Sequence, residues 1–246
     1  MNKIINYIRF VGANSGNIGG LRTKDDIKYL VYHYTGNDGD TAIDNAKYYR
    51  DNVVQASAHY FVDDNEIVQS VADLRYAWAI GGKKWTDCIS TGGGTLYGVV
   101  TNRNSLSIEM CGTMKDGTRM ASEKTLQNAV DLGKLLMERY GIPPERVVRH
   151  FDVTGKHCPA YFMNDTKWQA FRARLTDGDE NMKRYNTMKE ISDGAPWAVE
   201  TVEKLIGKNI LRGGGLRDTQ GRPADMDLSV DMLRLLVWND RAGLYG

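Results

Sequence analysis

The sequence predicts a mixed α/β domain, a central β-sheet flanked by helices, followed by a small helical module. Three observations carry this reading. The runs IKYLVYHY (27–34) and SLSIEMC (105–111) alternate with the period of two that strands require. Segments between and after them carry the 3.6-residue spacing of amphipathic helices. A polar, turn-forming stretch, TDGDENMKR, then separates this part from a C-terminal part with helical patterning alone. The expected organisation is a domain over 1–175, a linker over 176–184 and a module over 185–246.

Taken in order, GANSGNIGG (12–20) reads as irregular, and IKYLVYHY as a strand with Ile27, Tyr29, Val31 and His33 on one face. His33 ends that strand just before the turn TGNDGD, and Asp40 or Thr41 can cap a helix that carries Ala42, Ile43, Ala46 and Tyr49 at helical spacing. ASAHYFVDD (56–64) reads as a second strand, turning at Asp63–Asn65 into EIVQSV, with His59 and Phe61 on one face. From Ala77 to Thr101 the chain is expected to be irregular. SLSIEMC puts Leu106, Ile108 and Met110 on one face, so Ser107, Glu109 and Cys111 share the other. The next helix has Ser122 as its cap, an apolar stripe through Leu126, Val130, Gly133 and Met137, and Gly141 as terminator. A strand from Val147 to His150 follows, then an amphipathic segment from Trp168 to Leu175. The module is expected to hold two helices, one beginning near Pro196 and one capped by Ser229 with Leu228 stapled onto Leu233. A core that small is marginal, so packing on the first domain or on a second copy is expected.

Composition excludes several classes. Of 246 residues, 41% are hydrophobic and 26% charged, the balance of a soluble globular chain with room for a full core. A net charge of +1, with no Lys/Arg block or basic stripe, argues against a nucleic-acid partner. No stretch approaches the roughly 20 apolar residues of a membrane span. MNKIINYIRF is interrupted by Asn6 and Arg9 and lacks a small-residue cleavage site, so no signal peptide is expected. Three cysteines, Cys88, Cys111 and Cys158, are an odd number in a chain too large to need stapling, which predicts free thiols.

The densest chemistry is HFDVTGKHCP (150–159), with two imidazoles, a lysine, a carboxylate and a thiol at the end of a strand. Imidazole and thiolate suit a borderline-soft ion such as Zn²⁺, and a catalytic zinc takes three protein ligands. If the strands ending at His33 and His150 are neighbours, both imidazoles converge beside Cys158. Otherwise each is a polar residue at a strand end. Glu109 is either solvated or a general base beside such an ion. Lys156 is either a solvated loop lysine or a stabiliser of developing negative charge. His59 reads as structural or catalytic, His157 as solvent-facing, Cys88 and Cys111 as small residues in or near a core. Trp78 and Trp85 read as sugar or peptide contacts or as loop anchors, with Trp78 preferred as a contact.

Together, VYHYTG (31–36), SAHYFVDD (57–64), SLSIEM (105–110) and HFDVTGKHCP resemble, in the same order, the zinc-dependent N-acetylmuramoyl-L-alanine amidase family, which includes phage T7-type lysozyme and the peptidoglycan recognition proteins. The resemblance spans about residues 20–175. It implies Zn²⁺ held by His33, His150 and Cys158, with peptidoglycan as the partner and the amide between N-acetylmuramic acid and L-alanine as the bond hydrolysed. Glu109 would take the proton of the attacking water, and Lys156 with His59 would steady the tetrahedral intermediate. Relatives often carry a Trp–His pair where this chain has Trp78–Ala79, which bears on substrate contacts and not on the metal. A non-catalytic peptidoglycan-binding relative is the alternative, but such members typically lose the cysteine. The C-terminal part weakly resembles half an S-layer-homology repeat and the wall-targeting modules of endolysins, so wall binding or homo-oligomerisation is expected of it. Lack of an export signal fits a phage endolysin that waits in the host cytoplasm, or a bacterial autolysin.

Overall fold

The alternation that marks strands in the sequence is realised at the centre of a six-stranded sheet. The computed structural model describes residues 8–112, 120–176 and 184–245. The chain divides into two units, Met1–Thr176 and Asp177–Gly246. In order, the first unit runs β1 (Ile8–Phe10), β2 (Ile18–Leu21), β3 (Tyr29–Tyr34), α1 (Ala42–Asp51), β4 (Tyr60–Val62), β5 (Ile67–Gln69) and β6 (Arg75–Ala77). It continues through α2 (Cys88–Thr91), β7 (Ser105–Met110), α3 (Glu123–Tyr140), β8 (Val147–Arg149), α4 (His150–Thr154) and α5 (Asp165–Thr176).

The main sheet has the order β1-β5-β4-β7-β3-β8, and every neighbouring pair except the β4–β5 hairpin is parallel. β3 and β7, the longest strands, lie inside it and are covered on both faces, as parallel strands must be. Leu30, Tyr32, Leu106, Ile108, Met110 and Val147 pack on the α3/α5 side. Gly133 is needed there, because any Cβ would run into the Tyr32 hydroxyl, which donates to Ala129 O at 2.9 Å. The opposite face, with Phe61 and Val68 under Ala42 and Ala46 of α1 and Val31 and Val148 beside Val153, carries the polar residues discussed below.

Local signals placed the caps correctly. Thr41 accepts from Asp44 N–H, Ser122 from Thr125 N–H, and Gly141 ends α3 in the left-handed region at φ 62°. Four segments differ from expectation. The Gly/Asn-rich start contains β2, which pairs antiparallel with β6 because glycine lets the Tyr76 ring lie against Gly19. The second strand is confined to 60–62, and His59 lies in the bend before it. The segment 77–101 holds the short turn α2. His150 does not end a strand: β8 stops at Arg149, and His150 opens α4, whose first turn is closed by Asp152 Oδ2 accepting from Arg149 N–H at 2.7 Å.

The second unit comprises β9 (Arg184–Tyr185), α6 (Met188–Gly194), α7 (Val199–Gly207), β10 (Leu228–Ser229) and α8 (Val230–Arg241). Among the described residues of this unit, three helices replace the two expected. α6 was legible after all as the capping box Thr187–Glu190, T-x-x-E. Its cap and the Tyr185–Leu228 strand pairing complete a core of its own, including Ile191, Val202 and Leu233. The expected linker lies largely in 177–183, outside the described residues.

Candidate metal centre

Parallel pairing sets the site. Leu30, Val31 and Tyr32 of β3 stand in register with Val147, Val148 and Arg149 of β8, so the next residue of each chain is a histidine, His33 beside His150. On the other side His33 stands in register with Glu109 of β7. The third element is the return from α4. Gly155 ends that helix at φ 85°, in a slot where a Cβ would collide with Cys88 Sγ. The turn is then drawn back when Phe151 N–H donates to Cys158 O at 3.0 Å. Arg149 anchors the base of the turn through Asp152 and Phe162 O.

The result is a buried cluster. One ligand atom from each of His33, His150 and Cys158 lies within 4.8 Å of the others. Cys158 Sγ is 3.8 Å from His33 Nδ1, the two imidazole rings are 4.7 Å apart, and Glu109 Oε1 is 3.8 Å from His33 Nδ1. Four buried atoms here, His33 Nε2, both nitrogens of His150 and Glu109 Oε2, have no hydrogen-bond partner among the described residues. An orphaned buried polar atom costs about 1–3 kcal/mol. Imidazole nitrogens left unsatisfied beside a thiol sulfur are what a borderline-soft metal ion would satisfy, so the residues present fit one.

Electrostatics agree with that use. Burial, then the neighbouring His150 and Lys156, hold His33 well below the ordinary imidazole range. Burial with Lys156 brings His150 down to about 4. Both rings are therefore neutral and able to donate lone pairs at pH 7. Burial, with Glu109 adding to it, pushes the Cys158 thiol up to about 12, so ligation requires a cation to release its proton. Burial raises Glu109 to about 7, opposed by Lys156. Lys156 is exposed, yet its positive charge acts on all four groups.

His59 belongs to a different network. Its Nδ1 faces Ser107 Oγ at 3.0 Å, and its Nε2 faces Arg22 Nη2 at 2.8 Å and Arg75 O at 3.1 Å. Arg22, which sequence reasoning passed over, also donates to Asp73 O and Ser105 O, tying the start of β7 to the β5–β6 connection. A lone arginine in a polar stretch carries no sequence signal of such burial. Burial and the Arg22 charge lower His59 to about 3. The linkage sign follows: between about pH 6.5 and 3 the unfolded chain binds a proton on this residue that the folded chain does not, so stability falls as pH falls. His59→Gln is expected to flatten the loss of chemical-denaturation stability across that window by up to about 1.4 kcal/mol per pH unit. An unchanged pH slope would remove His59 as the source.

Trp78 is half-buried and fixed through its backbone, accepting from Ser57 N–H and donating to Ser57 Oγ. Trp85 anchors its loop by donating to Thr154 O at 2.8 Å, with its ring 5.5 Å from that of His157. His157, about half-exposed, also faces Asp87 at 3.3 Å. Cys88, Cys111 and Cys158 are all free and buried.

Among the described residues, two imidazoles and one thiol gather with a carboxylate beside them at the carboxyl ends of parallel strands, a donor set that would suit a catalytic metal centre. Comparison with known proteins identifies the family. A family model described as N-acetylmuramoyl-L-alanine amidase matches residues 23–161, which include His33, Glu109, His150 and Cys158, and the chain belongs to that family. A probable N-acetylmuramoyl-L-alanine amidase of Bacillus licheniformis is 33% identical over 180 residues, 71% of this chain and 48% of its own length. CwlA of a Bacillus species is 29% identical over 215 residues, 87% of this chain and 77% of the relative. The solved structure of PlyL is 31% identical with a TM-score of 0.56, covering 70% of this chain and 99% of PlyL. The chain thus spans about half the length of the B. licheniformis relative.

Proposed function

We propose that this chain hydrolyses the amide bond joining the lactyl group of N-acetylmuramic acid to L-alanine in peptidoglycan, using Zn²⁺ held by His33, His150 and Cys158. The observation that carries the reading is the buried gathering of three metal-competent ligands with the unpartnered Glu109 Oε2 next to them. Bound zinc would supply a Lewis acid that polarises the carbonyl and acidifies water. Glu109, held by its surroundings near the protonation midpoint at neutral pH, takes the proton of the attacking water and returns it to the departing alanine nitrogen. The C–N bond breaks, leaving a lactyl carboxylate and an alanine amine. Lys156 supplies positive charge near the oxygen that becomes negative during attack. We assign His59 a supporting role: with its ring nitrogens facing Ser107, Arg22 and Arg75, it steadies β7 and hence Glu109. Trp78 is the proposed substrate contact.

A recognition module that binds peptidoglycan without cutting it is the second reading. Cys158, seated in the cluster with both histidines, favours the enzyme. Among the described residues no helix is long and apolar enough to cross a membrane, and we place the chain as a phage endolysin reaching the wall when the host membrane is breached. Mass spectrometry of digested walls tests the bond cut. Muropeptides with a free lactyl carboxyl and a new alanine amine are expected, and cleavage confined to glycosidic or peptide cross-bridge bonds would refute the assignment.

A further inference from the structure

The second unit leaves its two tryptophans outside its own core. Trp197 is 45% and Trp238 64% exposed, although the surrounding Ala195, Ala198, Val230 and Val237 are buried in it. Both line one groove of about 340 Å³ between the Gly194–Trp197 turn and α8. Tyr185 braces the turn by donating to Gly194 O at 3.1 Å. Val230 and Val237 contribute apolar lining, and Arg234 and Arg241, both exposed, line it as well. Among the described residues lining it, none is acidic.

That combination has a definite complement. Flat indole faces accept the C–H faces of pyranose rings at low conformational cost, and a guanidinium such as that of Arg241 pairs with a planar carboxylate. A saccharide that carries a carboxylate satisfies both. We infer that the groove of the second unit binds glycan whose muramic acid bears a free lactyl carboxylate, the strand from which the stem peptide has been cut. This rests on the proposed amidase activity for the origin of the ligand: intact strands carry an amide at that position, and each hydrolysis converts it to an anion. The unit then holds the chain on wall that has already been processed, and the effective concentration of the catalytic unit rises near remaining substrate.

The test is direct binding by the full chain, read by calorimetry and tryptophan fluorescence. The probes are a peptide-free GlcNAc–MurNAc tetrasaccharide, chitotetraose as the uncharged comparator, and poly(glycerol phosphate) as an alternative anion. Saturable binding of the muramic-acid saccharide is expected, at least about tenfold tighter than chitotetraose, or about 1.4 kcal/mol. Trp238→Ala and Arg241→Gln are each expected to weaken it about tenfold or more, while His33→Ala leaves it unchanged. Equal affinity for chitotetraose, tighter binding of poly(glycerol phosphate), or binding lost in His33→Ala and kept in both groove variants would each overturn the inference. So would a dimer by light scattering that Trp238→Ala dissolves, since the groove would then be occupied by a second copy. Muropeptide analysis is separate: failure to release the lactyl acid removes the amidase reading while leaving the measured saccharide binding in place.

Discussion

Cys158→Ala is expected to abolish stoichiometric zinc binding and to lower wall hydrolysis more than about a hundredfold, the upper end of the loss that follows from disturbing only the surroundings of a metal ligand. The expectation comes from charge as well as geometry. His33 and His150 are neutral donors held in that state by burial. Cys158 is the one ligand that becomes anionic on binding, so alanine removes both a bond and the charge that balances a divalent cation. The fold should persist, because the substitution is a small one at a site whose backbone is held by Phe151 N–H and by the Arg149–Asp152 pair. Added zinc should therefore raise the melting temperature of the parent chain through linkage and leave the variant unmoved. Metal analysis by mass spectrometry, thermal melts with and without zinc, and turbidity clearing of purified walls read this out. A variant with full zinc content and undiminished clearing would take the metal centre out of the account.

Glu109→Gln is the complementary experiment, because it keeps the shape and removes the proton acceptor. Metal content and melting temperature are expected to stay near those of the parent, while kcat falls by about 10²–10⁴, the usual worth of a positioned general base. The distinction from a structural role lies in that split. Glu109 Oε2 has no hydrogen-bond partner among the described residues, and Oε1 faces a neutral imidazole at 3.8 Å, so no ion pair depends on its charge. A glutamine that preserved turnover would place the proton transfer elsewhere.

Much of this site was readable from residue types and local periodicity. The strand SLSIEM assigns Glu109 to the face opposite Leu106, Ile108 and Met110, because successive side chains of a strand must alternate. Thr41, Ser122, Gly141 and Ser229 announce helix ends because each supplies a local hydrogen bond or a backbone angle that does not depend on distant parts of the chain. The T-x-x-E box at Thr187 is an equally local signal, and it marks the start of α6. The Gly/Asn-rich segment was another matter. β2 exists because β6 pairs with it, and no period-two pattern in IGGL foretells a strand stabilised by its partner.

The sequence by itself determined which side chains could hold a metal, the strand faces of His33 and Glu109 and the caps of α1, α3 and α8, since all of these follow from chemistry and spacing within a few residues. Only the tertiary structure decided that His33 and His150 converge while His59, in a motif as prominent, is held against Arg22 and Ser107. Strand order and register are settled by how distant faces bury one another. The same burial sets the charge state of every group in the cluster, so neither partner nor protonation can be read along the chain.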